Sequence, residues 1–247
     1  MCGRFVRKTT ALEISDIFSC SLDTEELPIS FNIAPTSRIL GIIDSTGGAS
    51  VVSFSWGLIP RWAPDASRAA SLINARIETV AEKPSFRDLV AQHRCVLPMD
   101  GYFEWKEQLR HDAMKPIKQP YYFSANSQSS YSHHGVLAVA GLWTAWKDPN
   151  QSSSQVVHTA VALTTHANDM VSQIHHRMPV LLDQRGVEDW LKPNNQSPLI
   201  DLAAIPNGAL VACAVSTKVN SSRNNGSELI EPIDLTQTES LGELRLF

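Results

Sequence analysis

The chain has 247 residues, 43% hydrophobic and 19% charged, an ordinary globular balance with enough length to bury a substantial core. Its net charge of −4 excludes a global electrostatic attraction to nucleic acid, so any polyanion has to find a local basic groove. No long apolar run and no basic-then-apolar leader occurs, which argues against a membrane span and a secretory signal. Cys2, Cys20, Cys95 and Cys213 lie far apart without metal-like spacing, as expected of a reduced, cytoplasmic protein.

In chain order, "LEISDIFS" (12–19) spaces its apolar residues like a short helix. "RILGII" (38–43) and "VVSFSW" (51–56) read as strands around the turn "DSTGG". "PSFRDLVAQ" (84–92) predicts a helix opened by proline and serine, followed by the strand "RCVLP". "GYFEWKE" (101–107) and "PYYFSA" (120–125) predict two strands joined by a polar loop. "GVLAVAGLW" (135–143) and "VVHTAVALTT" (156–165) are nearly continuously apolar, as strands buried on both faces are. "GVEDWL" (186–191) and "SPLIDLAA" (197–204) read as short helices, and "ALVACAV" (209–215) as a last core strand. From about residue 234 the sequence reads as a loosely attached tail. Short strands mixed with short helices, without β-α-β alternation, predict a single α+β domain around a mainly antiparallel sheet or barrel-like core.

Several stretches can carry chemistry. If Met1 is removed, Cys2 carries an α-amine and a thiol on adjacent carbons, with pKa values of about 8 and about 8.5. A small residue at a frayed terminus is the plainer reading. In "LINARIET" (72–79), Asn74 and Arg76 stand two apart and face the same side of an extended segment; a solvated loop is the alternative. In "MDGYFEWK" (99–106), strand alternation sets Tyr102, Glu104 and Lys106 on the face opposite Phe103 and Trp105. A carboxyl lining a cleft among aromatics is a general acid or base with a raised pKa; on an open face it is only a solvated strand residue. "SQIHHRMPVLL" (172–182) offers His175 and His176 for proton transfer. Neighbouring histidines point apart, so at most one of the two is expected in a given site, and a loop histidine ahead of a strand is the plainer local reading. "SWGLIPRW" (55–62) holds two tryptophans near Arg61, core residues if buried and a stacking platform for single-stranded bases if exposed.

Taken in order, MCGR, "NIAP" (32–35), "WGLIPRW", "LINARIET", "RCVLPMDGYFEW", "AGLW" (140–143), "HHRMPVLL" and "AVSTKVNSSRNNGSELIEPI" (214–233) resemble the SRAP family of SOS-response-associated peptidases, the abasic-site processing proteins. The resemblance spans residues 2–233 as one SRAP domain and leaves 234–247 as a C-terminal tail. It implies a damage-response protein that binds single-stranded DNA and links covalently to abasic sites through Cys2, with SRAP-type removal of Met1 and lyase-like Schiff-base chemistry. It implies Cys2, Asn74, Glu104 and His175 as the catalytic set, His175 because it matches the family's His-x-Arg-x-Pro pattern. Arg4, Arg76 and Arg177 are implied as phosphate contacts, with Pro35 and Trp62 against the DNA. No metal or cofactor is implied, the default state is a monomer without membrane association, and the location is cytoplasmic at the nucleoid, or nuclear in a eukaryote. Some members of the family carry two adjacent tryptophans where this chain has Trp62-Ala63. Rival readings are an N-terminal-nucleophile glutamine amidotransferase, a cysteine peptidase acting in trans through Cys2 and His175, and a DNA-binding adaptor without chemistry.

Overall fold

The two long apolar runs pair with each other. In the computed structural model, which describes residues 3–45, 48–108, 117–150, 155–193, 195, 198–199, 202 and 204–235, the strands are β1 (Phe5–Arg7), β2 (Ser21–Leu22), β3 (Ser30–Ile33), β4 (Arg38–Ser45), β5 (Gly48–Trp56), β6 (Asn74–Arg76), β7 (Arg94–Met99), β8 (Gly101–Gln108), β9 (Ile117–Ala125), β10 (Leu137–Trp146), β11 (Val157–His166), β12 (Arg177–Pro179), β13 (Leu181–Leu182) and β14 (Leu210–Ala214). The helices are α1 (Ala11–Ile17), α2 (Asp169–Ser172) and α3 (Gln184–Leu191). Among the described residues no helix is long and apolar enough to cross a membrane.

β10 runs antiparallel to β11, with Gly141 opposite Ala162, and antiparallel to β7, with Gly141 opposite Cys95. β7 continues to β4, β4 forms a hairpin with β5, and β5 returns to β11 in parallel register, Ala160 opposite Trp56. Five strands thus close a ring, which removes the exposed edges an open sheet would present. A ring this narrow has little room inside, so glycines sit among its large inward side chains. A Cβ on Gly41 would fall 2.6 Å from the Phe54 ring, and one on Gly141 2.9 Å from Cys95 Sγ.

The inward side, with Ile39, Phe54, Trp56, Leu97 and Val139, shares one core with Phe5, Tyr102 and Phe123 of a second sheet, ordered β14-β9-β8-β1-β3. The outward side, with Leu40, Ile42, Val96, Ala140, Leu142 and Val161, packs against Ala11 and Ile14 of α1 and Val187 and Trp190 of α3. Both faces of the ring strands are covered, which explains their unbroken apolar sequence. α1 starts at a capping box, Thr10 accepting from the Glu13 N–H while the Glu13 carboxylate accepts from the Thr10 N–H.

This is the α+β, mainly antiparallel, barrel-cored class the sequence predicts, with two local corrections. The helix expected over 84–92 is a series of turns with one 3-10 turn, Arg87–Leu89. Phe86, Leu89 and Val90 do turn inward, but the buried Arg94 guanidinium takes the carbonyls of Val90 and Ala91, closing the segment before a regular helix develops. The expected core strand over 209–215 is instead the edge strand β14, which among the described strands pairs only with β9, and its Val211 is 48% exposed. Half of the residues of the helix expected over 197–204, and most of the tail from 234, lie outside the described residues.

Candidate active site

Strand β8 runs through the centre of the second sheet. Its alternation holds: Tyr102 stacks on Phe123 in one core, and Phe103 packs with Tyr122 in another. Glu104 follows on the Tyr102 side, only 2% exposed, at the wall of a cleft of about 780 Å³. Burial raises its pKa to about 6. The carboxyl is therefore mostly ionised at neutral pH yet within easy reach of protonation, as suits proton transfer.

The far wall of the cleft comes from the segment after α2. The Asn168 side chain caps that helix by accepting from the Val171 N–H at 3.0 Å, and the chain then turns through His175 and His176 into β12. His175 Nδ1 lies 3.7 Å from Glu104 Oε1, and burial holds the His175 pKa below its usual value. The expectation that at most one histidine enters the site is corrected here. Both line the cleft, their ring centroids 4.4 Å apart, and the proximity of His175 lowers the pKa of the exposed His176.

Lys106, placed by the sequence on the Glu104 face but given no role there, also lines the cleft. Glu107 and Lys118, paired with each other at 3.2 Å between β8 and β9, also line it. Strand alternation beyond the EW pair was the available signal.

The remaining predicted positions lie around this cleft. Asn74 and Arg76 form β6 with the buried Ala75 between them, so the expected same-side pair is present, laid parallel on β11 with Arg76 opposite Thr164. Neither lines the cleft. Arg4 donates to Asn32 Oδ1 at 2.7 Å and to the Val219 carbonyl at 3.0 Å, and its backbone carbonyl accepts from the Phe103 N–H. With Phe5 opposite Tyr102, β1 read backwards runs toward Glu104. Cys2 itself lies outside the described residues. Pro35 is half-buried and precedes Thr36, whose φ of +73° is a strained value for a branched residue. The two tryptophans of "WGLIPRW" divide: Trp56 is core, its indole bonded to the Ile73 carbonyl, whereas Trp62 is 66% exposed beside a cavity of about 320 Å³ floored by Leu58, Ile59 and Leu72.

Arg177 is placed differently from a surface phosphate contact. Its side chain is 3% exposed and forks onto Glu78, each nitrogen–oxygen distance being 2.8 Å. Among the described residues, no group of three or more His, Cys, Asp or Glu residues is arranged to hold a metal ion.

A closed β ring and a second sheet, with a buried carboxyl and a histidine 3.7 Å apart in a cleft, define a β-rich protein with a carboxyl–imidazole pair. The family model of SOS response associated peptidase (SRAP) matches residues 1–222, and the chain belongs to that family. Abasic site processing protein YoqW of Bacillus subtilis (strain 168) is 36% identical over 236 residues, covering 94% of this chain and 99% of that protein. Abasic site processing protein HMCES of Xenopus tropicalis is 29% identical over 241 residues, covering 87% of this chain and 69% of that one. A crystal structure of a protein from Bacteroides thetaiotaomicron shares the fold, with a TM-score of 0.80 at 24% identity over 94% of this chain and 100% of that one.

Proposed function

We propose that this protein processes abasic sites in single-stranded DNA by capturing the opened sugar covalently at Cys2, once Met1 has been removed. The observation that carries the reading is the buried Glu104 carboxyl, 3.7 Å from His175 on the wall of a cleft the size of a small-molecule site. Relatives named as abasic site processing proteins over almost their whole length support it. The direction of β1 along β8 supports Cys2, since Phe5 and Arg4 lead from Tyr102 toward Glu104.

The chemistry follows from the groups. An abasic sugar opens to an aldehyde; the Cys2 amine adds to it and, with loss of one water, gives a Schiff base. The thiol then adds across the C=N bond and closes a five-membered thiazolidine, favoured by the high effective concentration of a neighbouring sulfur. Glu104 removes the ammonium proton and returns one to the departing hydroxyl. His175 opens the sugar ring, and Asn74 orients it. The same pair, Cys2 and Glu104, serves for self-cleavage of Met1. Arg4, Arg76, Pro35 and Trp62 keep their places as DNA contacts, Lys106 joins them, and Arg177 leaves the group because its fork on Glu78 occupies it. Residues 2–233 are the active unit, acting as a cytoplasmic monomer in the response to DNA damage.

Intact mass spectrometry before and after incubation with single-stranded DNA carrying one abasic site tests this. The expected result is a chain lacking Met1 that gains the DNA mass less one water, and Cys2→Ala gives no adduct that survives denaturation. A wild-type chain that stays unmodified, or that releases ammonia from glutamine instead, overturns it.

A further inference from the structure

We infer that Glu78 is a positioning residue: its fork on Arg177 fixes the backbone that holds His175 Nδ1. The role given to His175 rests on the abasic-site reading; the way its ring is held does not.

β6 and β12 flank the C-terminal half of β11, with Arg76 opposite Thr164 and Arg177 opposite His166. Glu78, two residues beyond β6, joins these separate segments. Arg177 Nη1 donates to Glu78 Oε1 and Nη2 to Oε2, both at 2.8 Å, and Nη2 also donates to the Thr164 carbonyl at 2.7 Å. With its side chain 3% exposed, the guanidinium has left water and depends on these partners. A planar fork matched to a carboxylate fixes orientation as well as distance.

The Arg177 main chain in turn holds the histidine. Its N–H donates to His175 Nδ1 at 3.0 Å, and its carbonyl oxygen lies 3.1 Å from the same nitrogen. One ring nitrogen cannot accept and donate together, so the contacts are alternatives. A neutral ring accepts from the N–H and keeps its proton on Nε2; a protonated ring donates to the carbonyl. If the Arg177 side chain shifts, both contacts shift. Among the described residues, the charged groups around His175 are Glu104, Lys106 and Glu107 from β8, Lys118 from β9, and His176 and Arg177 from its own segment, with His166 3.5 Å from Glu78 on the outer side. The Arg177 charge itself disfavours a protonated His175, and Glu78 offsets that charge.

The test uses the full chain and two readouts. Nitrogen-15 NMR of the histidine rings at neutral pH should show a single Nε2–H tautomer for wild-type His175 and a tautomer mixture in Glu78→Gln. With saturating abasic single-stranded DNA, Glu78→Gln should lower the adduct-forming rate constant by ~10-fold while the final yield and the affinity for intact DNA stay unchanged. In a His175→Ala background, Glu78→Gln should cost nothing further. Glu78→Asp and Arg177→Lys, which keep the charges but alter the fork, supply the same readouts if Glu78→Gln fails to fold. An unchanged tautomer, an additive double variant, or a gain in DNA affinity at unchanged rate overturns the inference. A wild-type chain that forms no adduct defeats the abasic-site reading instead, and the tautomer result still decides how His175 is held.

Discussion

Burial gives Glu104 a pKa of about 6, against 4.5 for an unburied carboxyl. Between those values the folded chain binds more protons than the unfolded one, so this group's contribution to stability falls as pH rises through that window. Above it the penalty is constant, about 2 kcal/mol for a shift of this size. Glu104→Gln is therefore expected to melt higher than wild type at pH 7.5, with the difference vanishing near pH 4; thermal melts across that range check it. The same variant should form adduct or lose Met1 more slowly, and unchanged rates for both would deny Glu104 its proposed part. For the histidines, His175→Ala should impair adduct formation or reversal more than His176→Ala, because His175 faces the carboxyl and His176 is solvent-exposed. The reverse order in a gel assay of crosslinked DNA would move the proton transfer to His176.

Individual elements depend on a few buried arginines that carry no proposed chemistry. Arg94 donates to the carbonyls of Val90, Trp190 and Lys192, tying the turns before β7 to the end of α3. Arg94→Met leaves those acceptors without their donor and should cost about 3 kcal/mol, seen as an earlier urea midpoint at unchanged slope. Gly57, at φ +130°, lets β5 leave the ring; a Cβ there would lie 2.4 Å from the Ala69 carbonyl oxygen. Short β-rich runs revealed β4, β5, β8 and β9, and nearly continuous apolar runs revealed β10 and β11, which are buried on both sides. It failed at 84–92, where helical spacing of apolar residues was satisfied by successive turns, and at β14, where apolar composition did not distinguish a central strand from an edge.

The molecule as a whole carries a net charge of −4, so attraction to DNA has to come from cations gathered locally. Lys106 is one such cation at the cleft. Lys106→Ala should reduce the slope of log affinity against log salt by about 1, for intact and abasic single strands alike, while the adduct rate at saturating DNA persists. Fluorescence anisotropy over a salt series measures it; an unchanged slope removes Lys106 from the interface.

Local pattern along the chain was sufficient for the class of fold, for the alternation that turns Glu104 away from Phe103, and for the shared side of Asn74 and Arg76, because each depends on residues one or two apart. Ring closure through the parallel β5–β11 pairing, the meeting of Glu104 with His175, and the Glu78–Arg177 fork between residues 99 apart were settled by tertiary packing. Such contacts depend on which strands lie side by side and how deeply each is buried. Burial also divided Trp56 from Trp62 and turned Arg177 from a surface cation into an internal brace. Solvent exclusion belongs to the assembled chain, and no short stretch of sequence encodes it.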